Sequence, residues 1–294
     1  MEQFDVAIAG GGPAGLTAAM TLSRSRFKTV VLESPAPPRN AMSLGMHGIV
    51  GLDGLSPAEY RARAWADLGA YGMAWRRDAE VDDVVSADGG GFTVVPRHGE
   101  PVWARRVLLA TGMVDDYPEV EGFRECWGKT VIHCPFCGGW ENGDRPWGVV
   151  VATAEQARVA AAKFAPWSQD VLLFGNGADP REPGEDDLPL VVETITRLHH
   201  ADGDLRAVEL ADGTVVERRT LVWRPRQRQV PLVERLGLVV SDDGFVKTDE
   251  ARRTSIPGVY AAGDLTTDWQ TVVTSVHAGS MAAYWMLIDS RDRL

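Results

Sequence analysis

The residues with the plainest capacity for chemistry are His133-Cys134-Pro135-Phe136-Cys137. Two residues between cysteines allow a short, reversible disulfide, and a thiolate from such a pair exchanges with other thiols and disulfides. Proline suits the first position of a helix, because its φ is already fixed and it has no N–H to leave unpaired. Cys134 is then expected at the N-cap, where the first N–H groups stabilise a thiolate. Cys137 falls one turn deeper on the same side. Three cysteines exclude a disulfide scaffold, and the third, Cys126, reads as structural. On paper Cys126, Cys134, Cys137 and His133 supply four zinc ligands. His133 adjoins Cys134 and there is no second CxxC, so the expectation is no metal. A thioredoxin domain also carries CxxC beside a βαβ pattern, but it has no N-terminal dinucleotide motif of the kind found here.

That motif is Gly10-Gly-Gly12-Pro13-Ala14-Gly15. It lies between an apolar run, Phe4 to Ala9, and a segment of helical spacing, Leu16 to Ser25. A second β-rich run, Thr29 to Glu33, completes a βαβ unit. Gly10 permits a tight turn, Gly12 lets backbone approach a pyrophosphate, and Gly15 lets helix and strand pack closely. Glu33 ends the second strand, where a carboxylate accepts ribose hydroxyls and repels a 2′-phosphate. A plain structural turn is the alternative, and the βαβ context argues against it.

Further along, Leu108-Leu-Ala-Thr111-Gly112 resembles the strand-turn of two-dinucleotide-domain flavoproteins. Ile256-Pro-Gly-Val-Tyr-Ala-Ala-Gly263-Asp264 resembles their C-terminal flavin motif. In that motif the aspartate, here Asp264, binds ribityl or phosphate oxygens; alone it would read as a turn or N-cap residue. Together with the CxxC in mid-chain and a final helix after Gln270, these motifs resemble the thioredoxin-reductase-like FAD flavoproteins over nearly the whole length. The resemblance implies an α/β fold of two Rossmann-like domains, the second inserted in the first. The FAD domain would span 1–113 and 243–294, and a middle domain, 114–242, would carry the cysteines. It also implies that Cys134 exchanges with substrate, that Cys137 faces the flavin, and that the protein is a homodimer.

Two departures from thioredoxin reductases stand out. The second glycine fingerprint, which would hold NADPH, is replaced by Val151-Ala-Thr-Ala-Glu155-Gln-Ala157, so the middle domain reads as a degenerate NADPH-type fold. After Phe174 the basic cluster for a 2′-phosphate is also missing, and Arg181 alone is weak compensation. The acid that usually follows the second cysteine is Gly138. Another proton carrier is needed, and His133 and His277 are the candidates, because imidazole titrates near neutral pH. Each also reads as a packing or surface histidine.

These departures, with His-Cys-Pro-Phe-Cys-Gly-Gly-Trp, resemble the dithiol oxidases that close disulfides in natural products, such as the holomycin and gliotoxin enzymes. That resemblance implies a small dithiol substrate, with O2 as electron acceptor. Phe136 and Trp140 would then offer flat apolar surface to a heterocycle, while Trp269 reads equally as part of it or as core. Two other readings stay open: a reductase driven by NADPH or ferredoxin, and a non-enzymatic flavin redox sensor.

The rest of the chain must position these groups. At 294 residues, 45% apolar and 24% charged, it can bury a sizeable core. A net charge of −11 argues against nucleic-acid or anionic-lipid partners. No apolar run approaches the ~20 residues of a membrane span. The N-terminus lacks a signal-peptide pattern, so the expected location is the cytoplasm. A second βαβ is expected from Trp147–Ala152, 153–164 and Asp170–Phe174. Further strands are expected near 92–96, 102–110, 206–210, 214–223 and 258–262, a last helix over 270–287, and an exposed loop over 176–189.

Overall fold

Short apolar runs build a mixed sheet in one unit and a parallel sheet in the other unit of this computed structural model. The structure describes residues 1–181 and 188–290. Residues 182–187 of the expected loop lie outside the described residues. The first unit holds Met1–Ala41, Ile49–Val114 and Gln227–Leu294, and the second holds Met42–Gly48 and Asp115–Arg226.

In the first unit β1 (Glu2–Ala9) lies parallel to β2 (Thr29–Glu33), with β3 (Ala74–Asp78) beyond it. On its other side β1 pairs with β6 (Val102–Leu109), which continues antiparallel into β5 (Phe92–Pro96) and β4 (Val81–Ser86). The strand Val259–Ala261 runs parallel beside the far half of β6. All five residues of β2 are buried, as a strand covered on both faces requires. One face carries α1 (Pro13–Arg24) and the helix Val272–Ile288. Ala14, Ala18 and Ala19 meet Ala278, Ala282 and Ala283 in that core, their small side chains allowing two helices to share one sheet face. Helix α2 (Pro57–Gly69) starts with a reciprocal capping box: Ser56 Oγ accepts from the Glu59 N–H at 3.2 Å, and Glu59 Oε2 accepts from the Ser56 N–H at 3.0 Å. This Ser-x-x-Glu signal was legible, although α2 is not among the elements expected above.

Register sets the site. Ala9 is opposite Leu32 and Leu109, and Leu109 is opposite Ala261. Gly10, Glu33, Ala110 and Ala262 therefore emerge together at the carboxyl edge, where open α/β sheets bind ligands.

The second unit has a five-stranded sheet in the order Leu190–Val191, Val171–Phe174, Trp147–Val150, Thr220–Val222, Val131–Ile132, all parallel. The helix Ala154–Phe164 covers it through Ala157, Ala160 and Phe164. Beside it Ile195–Ala201, Asp204–Leu210 and Val215–Glu217 form an antiparallel sheet. The single strand expected over 214–223 is thus two strands in different sheets. The chain crosses between them at Arg218 and Arg219, where Arg218 pairs with Asp170 and the Arg219 N–H donates to Pro146 O at 2.9 Å. A continuous β-prone run carries no sign of such a switch. Among the described residues no helix is long and apolar enough to cross a membrane.

Candidate active site

The first unit offers a dinucleotide seat. Gly10 has φ +112°, and a Cβ there would stand 2.3 Å from Ala110 O. A Cβ on Gly15 would stand 2.0 Å from Gly10 O, so backbone meets backbone and only glycine fits. Gly12 is the N-cap of α1, with no side chain capping the helix and Pro13 following. A Cβ on Gly12 would meet nothing within 4 Å. The N–H groups of Ala14 and Gly15 have no intrahelical acceptor and face the side open to a phosphate.

Around this seat the chain leaves polar atoms unused. Glu33 accepts from Arg61 through Oε1, with Arg76 Nε 3.7 Å from Oε2. Its Oε2 is buried without a hydrogen-bond partner, and so is Thr111 Oγ1 on the neighbouring turn beside Gly112. A buried polar atom without a partner costs about 1–3 kcal/mol, which a ligand's hydroxyls or phosphates would recover. At the other end, Gly263 leads into Asp264. Its Oδ1 accepts from Ser275 Oγ at 3.1 Å and its Oδ2 from Arg39 at 3.2 Å. Arg39 also donates to Gln270 Oε1 at 2.6 Å. An open helix N-terminus, an acid with one unused oxygen and an oriented second acid fit the pyrophosphate, ribose and ribityl parts of FAD.

The second unit carries the redox pair. The edge strand Val131–Ile132 delivers His133 and then Cys134, which is the N-cap of the one-turn helix Pro135–Gly138. Both Cys134 and Cys137 are half-buried thiols. The Cys134 thiol is lowered to about 6. The hydrogen bond from Cys137 is the largest cause; burial opposes it, and the Phe136 and Cys137 N–H groups and the Lys163 ammonium add to the lowering. Cys126 is the reverse case. Buried in the apolar cluster with Phe123 and Trp127, its thiol is pushed up to about 11, first by desolvation.

A prediction follows for the reduced protein. A lowered thiol keeps its reactive thiolate as pH falls, so alkylation of Cys134 by iodoacetamide should hold its rate from alkaline pH to neutrality. The rate should halve near the value of about 6. A rate that halves near 9 instead, the ordinary thiol value, would show that the helix and Cys137 do not hold the charge.

The expected site residues fall as follows. His133 lies next to Cys134, with its ring 6.1 Å from that of Trp127. His277 is on the exposed side of the helix Val272–Ile288, in the first unit. Phe136 is 68% exposed while its ring meets Trp167 edge-on at 5.3 Å, and Trp140 is 87% exposed. Trp269, in the first unit, is exposed and not part of a core.

Sequence reasoning missed three partners of the redox turn. Asn142 is buried; its amide donates to Gly138 O at 2.9 Å and to Lys129 O at 3.0 Å, pinning the end of the redox helix. Lys163 supplies positive charge to Cys134. His47 belongs with this unit, and its Nε2 stands 3.4 Å from Glu141 Oε1. Among the described residues no group of three or more His, Cys, Asp or Glu is placed to hold a metal.

The middle unit's own phosphate position is closed. Thr153 caps the helix Ala154–Phe164 by accepting from the Gln156 N–H at 3.2 Å, and Gln156 Oε1 accepts from the Ala152 N–H at 2.8 Å. Glu155, in the first turn, is paired with Arg158. Arg181 is paired with Asp179. The N–H groups of Ala152 and Gln156 are thus already used, and the acid Glu155 stands in the first turn.

A dinucleotide seat at one sheet edge and a dithiol on a second dinucleotide-type fold define a flavin-dependent disulfide oxidoreductase. The family profile described as pyridine nucleotide-disulphide oxidoreductase matches residues 4–177 and 189–282. The chain belongs to that family, and FAD is its cofactor. The chain is 32% identical to thioredoxin reductase aclD of Aspergillus oryzae, over 95% of this chain and 94% of the relative. Among solved structures it is similar to HlmI, with TM-score 0.87 and 36% identity over 99% of this chain and 94% of that one. It is also similar to an oxidoreductase from Agrobacterium tumefaciens, with TM-score 0.87 and 30% identity over 99% of both.

Proposed function

We propose that this protein is a dithiol oxidase that closes an intramolecular disulfide in a small natural-product dithiol of the holomycin type, passing the electrons to O2 and yielding H2O2. It would work as a homodimer. The observation that carries the reading is the helix start of the middle unit, where Thr153 and Gln156 take up the N–H groups of Gln156 and Ala152 and Glu155 adds negative charge, a poor seat for the pyrophosphate of NADPH. The likeness to HlmI adds to it.

In this reading Gly10, Gly12, Pro13, Ala14, Gly15, Glu33, Thr111, Gly112, Gly263 and Asp264 hold FAD. Bound FAD supplies a two-electron acceptor for the Cys134–Cys137 dithiol and a centre that O2 can reoxidise. The chain's own residues carry out the exchange. A substrate thiolate attacks Cys134 Sγ of the oxidised pair, and Cys137 leaves as thiolate. The second substrate thiolate attacks its partner sulfur, and Cys134 leaves in turn. The Phe136 and Cys137 N–H groups and the Lys163 ammonium stabilise the Cys134 thiolate as it leaves. The substrate loses two electrons and two protons, and the cysteines gain the two electrons. Phe136 and Trp140 present the flat apolar surface on which a heterocycle rests. His133 or His277 accepts the thiol protons.

The test is an oxygen-electrode assay of the holoprotein with reduced dithiol metabolites, with and without NADPH. The expected result is one H2O2 per disulfide formed, at a rate NADPH does not change. Anaerobic bleaching of the flavin by NADPH would overturn the reading in favour of a reductase. FAD binding with no turnover of any dithiol would overturn it in favour of a sensor.

A further inference from the structure

A carboxylate at a strand end turns among several rotamers, so it reads a ribose only if the fold holds it still and leaves one oxygen unused. Glu33 meets both conditions. Its side chain is 8% exposed. A Cβ on Gly11 would stand 2.7 Å from Glu33 Cδ, 2.8 Å from Oε1 and 2.9 Å from Oε2. The carboxylate therefore rests on the glycine turn, where a side chain would push it aside.

The group that holds it comes from outside the βαβ unit. Helix α2 begins at a fixed point, because Pro57 and the reciprocal Ser56–Glu59 bonds set its first turn. Leu68 anchors its far end in the core shared with α1. Arg61, one turn in, donates through Nη2 to Glu33 Oε1. Glu33 Oε2 is left buried without a hydrogen-bond partner. The other cation nearby does not use it: Arg76 Nε stands 3.7 Å away and already donates to Asp78 Oδ1 at 2.8 Å. A purely structural ion pair would be poorly built in this way, since a buried pair adds stability only when its remaining lone pairs are satisfied. One oxygen clamped and the other unused, on the glycine turn of the seat, suits a ligand's hydroxyls.

We infer that Arg61 is a positioning residue of the FAD seat: it fixes Glu33 so that Oε2 accepts the hydroxyls of the adenosine ribose. The inference rests on the seat proposed for FAD above. Arg76, with 47% of its side chain exposed, gives way toward solvent as the ribose arrives. Without Arg61 the carboxylate turns to Arg76 instead, and the oxygen that the ribose needs is taken up within the chain.

The test is titration of FAD-stripped protein, followed by flavin fluorescence, with FAD and with an analogue whose adenosine ribose lacks its 2′- and 3′-hydroxyls. Wild type should bind FAD about 10- to 100-fold more tightly than the analogue, as a hydrogen bond to a charged acceptor implies. In Arg61→Met that ratio should fall below about threefold, because FAD binding weakens while the analogue keeps its wild-type affinity. The unchanged analogue is a readout that loss of structure would not give, since a displaced α2 weakens both ligands alike. A ratio that stays at about threefold or more in Arg61→Met overturns the assignment. So does an analogue weakened more than about threefold, which would mark a structural clamp. If Arg61→Met holds neither ligand, Arg61→Gln is read in the same way. A wild type that binds FAD and the analogue alike would instead overturn Glu33 as the ribose acceptor, and one that binds no FAD would overturn the seat itself.

Discussion

Replacing Cys137 by serine is expected to abolish dithiol-dependent peroxide formation while FAD stays bound. A hydroxyl cannot close the disulfide that the substrate thiolate must attack, so the exchange has no electrophile. The residues proposed to hold FAD all lie in the other unit, so the yellow colour and reduction by dithionite should survive. Cys137→Ala has a second consequence. The thiol hydrogen bond from Cys137 is the largest cause of the lowered Cys134 value, so without it Cys134 should ionise at higher pH and alkylate more slowly at neutrality. The measurements are H2O2 yield with dithiothreitol in air and the alkylation profile of Cys134. Peroxide at wild-type rate from Cys137→Ser would take the pair out of the mechanism.

The second large effect separates Gly15 from Gly12. At Gly15 an added methyl meets the carbonyl oxygen of Gly10 at 2.0 Å, and neither backbone can yield without moving α1 off the sheet. Gly15→Ala should cost about 1–3 kcal/mol or more, as overpacking does. The chain should unfold several degrees lower and purify without flavin. At Gly12 the backbone is extended, φ −82° and ψ −175°, which any residue adopts, and the space around its Cβ is open. Gly12→Ala should leave the melting temperature of the FAD-free protein unchanged, yet weaken FAD by about 10- to 100-fold, equivalent to roughly 1.4–2.8 kcal/mol. The methyl would stand where the phosphate must approach. Thermal melts of FAD-stripped protein and FAD titration by fluorescence measure both. A melting temperature at Gly12→Ala as low as at Gly15→Ala would show that the open side of the seat is structural.

Much of the chemistry was legible because it is written in short stretches. Gly10 to Gly15, Glu33 and Cys134 to Cys137 are each fixed by local backbone demands: a turn, a helix start, a strand end. The placement of Gly10 to Gly15 and Glu33 at one sheet edge needs only the βαβ rule. The closure of the middle unit's phosphate position was half legible. Missing glycines and Glu155 are visible in the sequence, whereas the use of the Gln156 and Ala152 N–H groups shows only in the structure. The run 214–223 reads as one strand but is two, since a change of sheet at Arg218 is set by Asp170 and Pro146, far away in sequence.

The amino-acid order by itself determined the CxxC turn, the glycine turn before α1 and the loss of the second fingerprint, because each depends on residues within a turn or two of one another. Only the tertiary structure decided what packs on the CxxC turn and the residues after it: Lys163 from a helix, Asn142 tied to Lys129 O, and His47 brought to Glu141 from a segment whose chain neighbours belong to the other unit. Those contacts join residues whose spacing in the chain has no period, so they exist only once apolar burial has packed the sheets and helices that carry them.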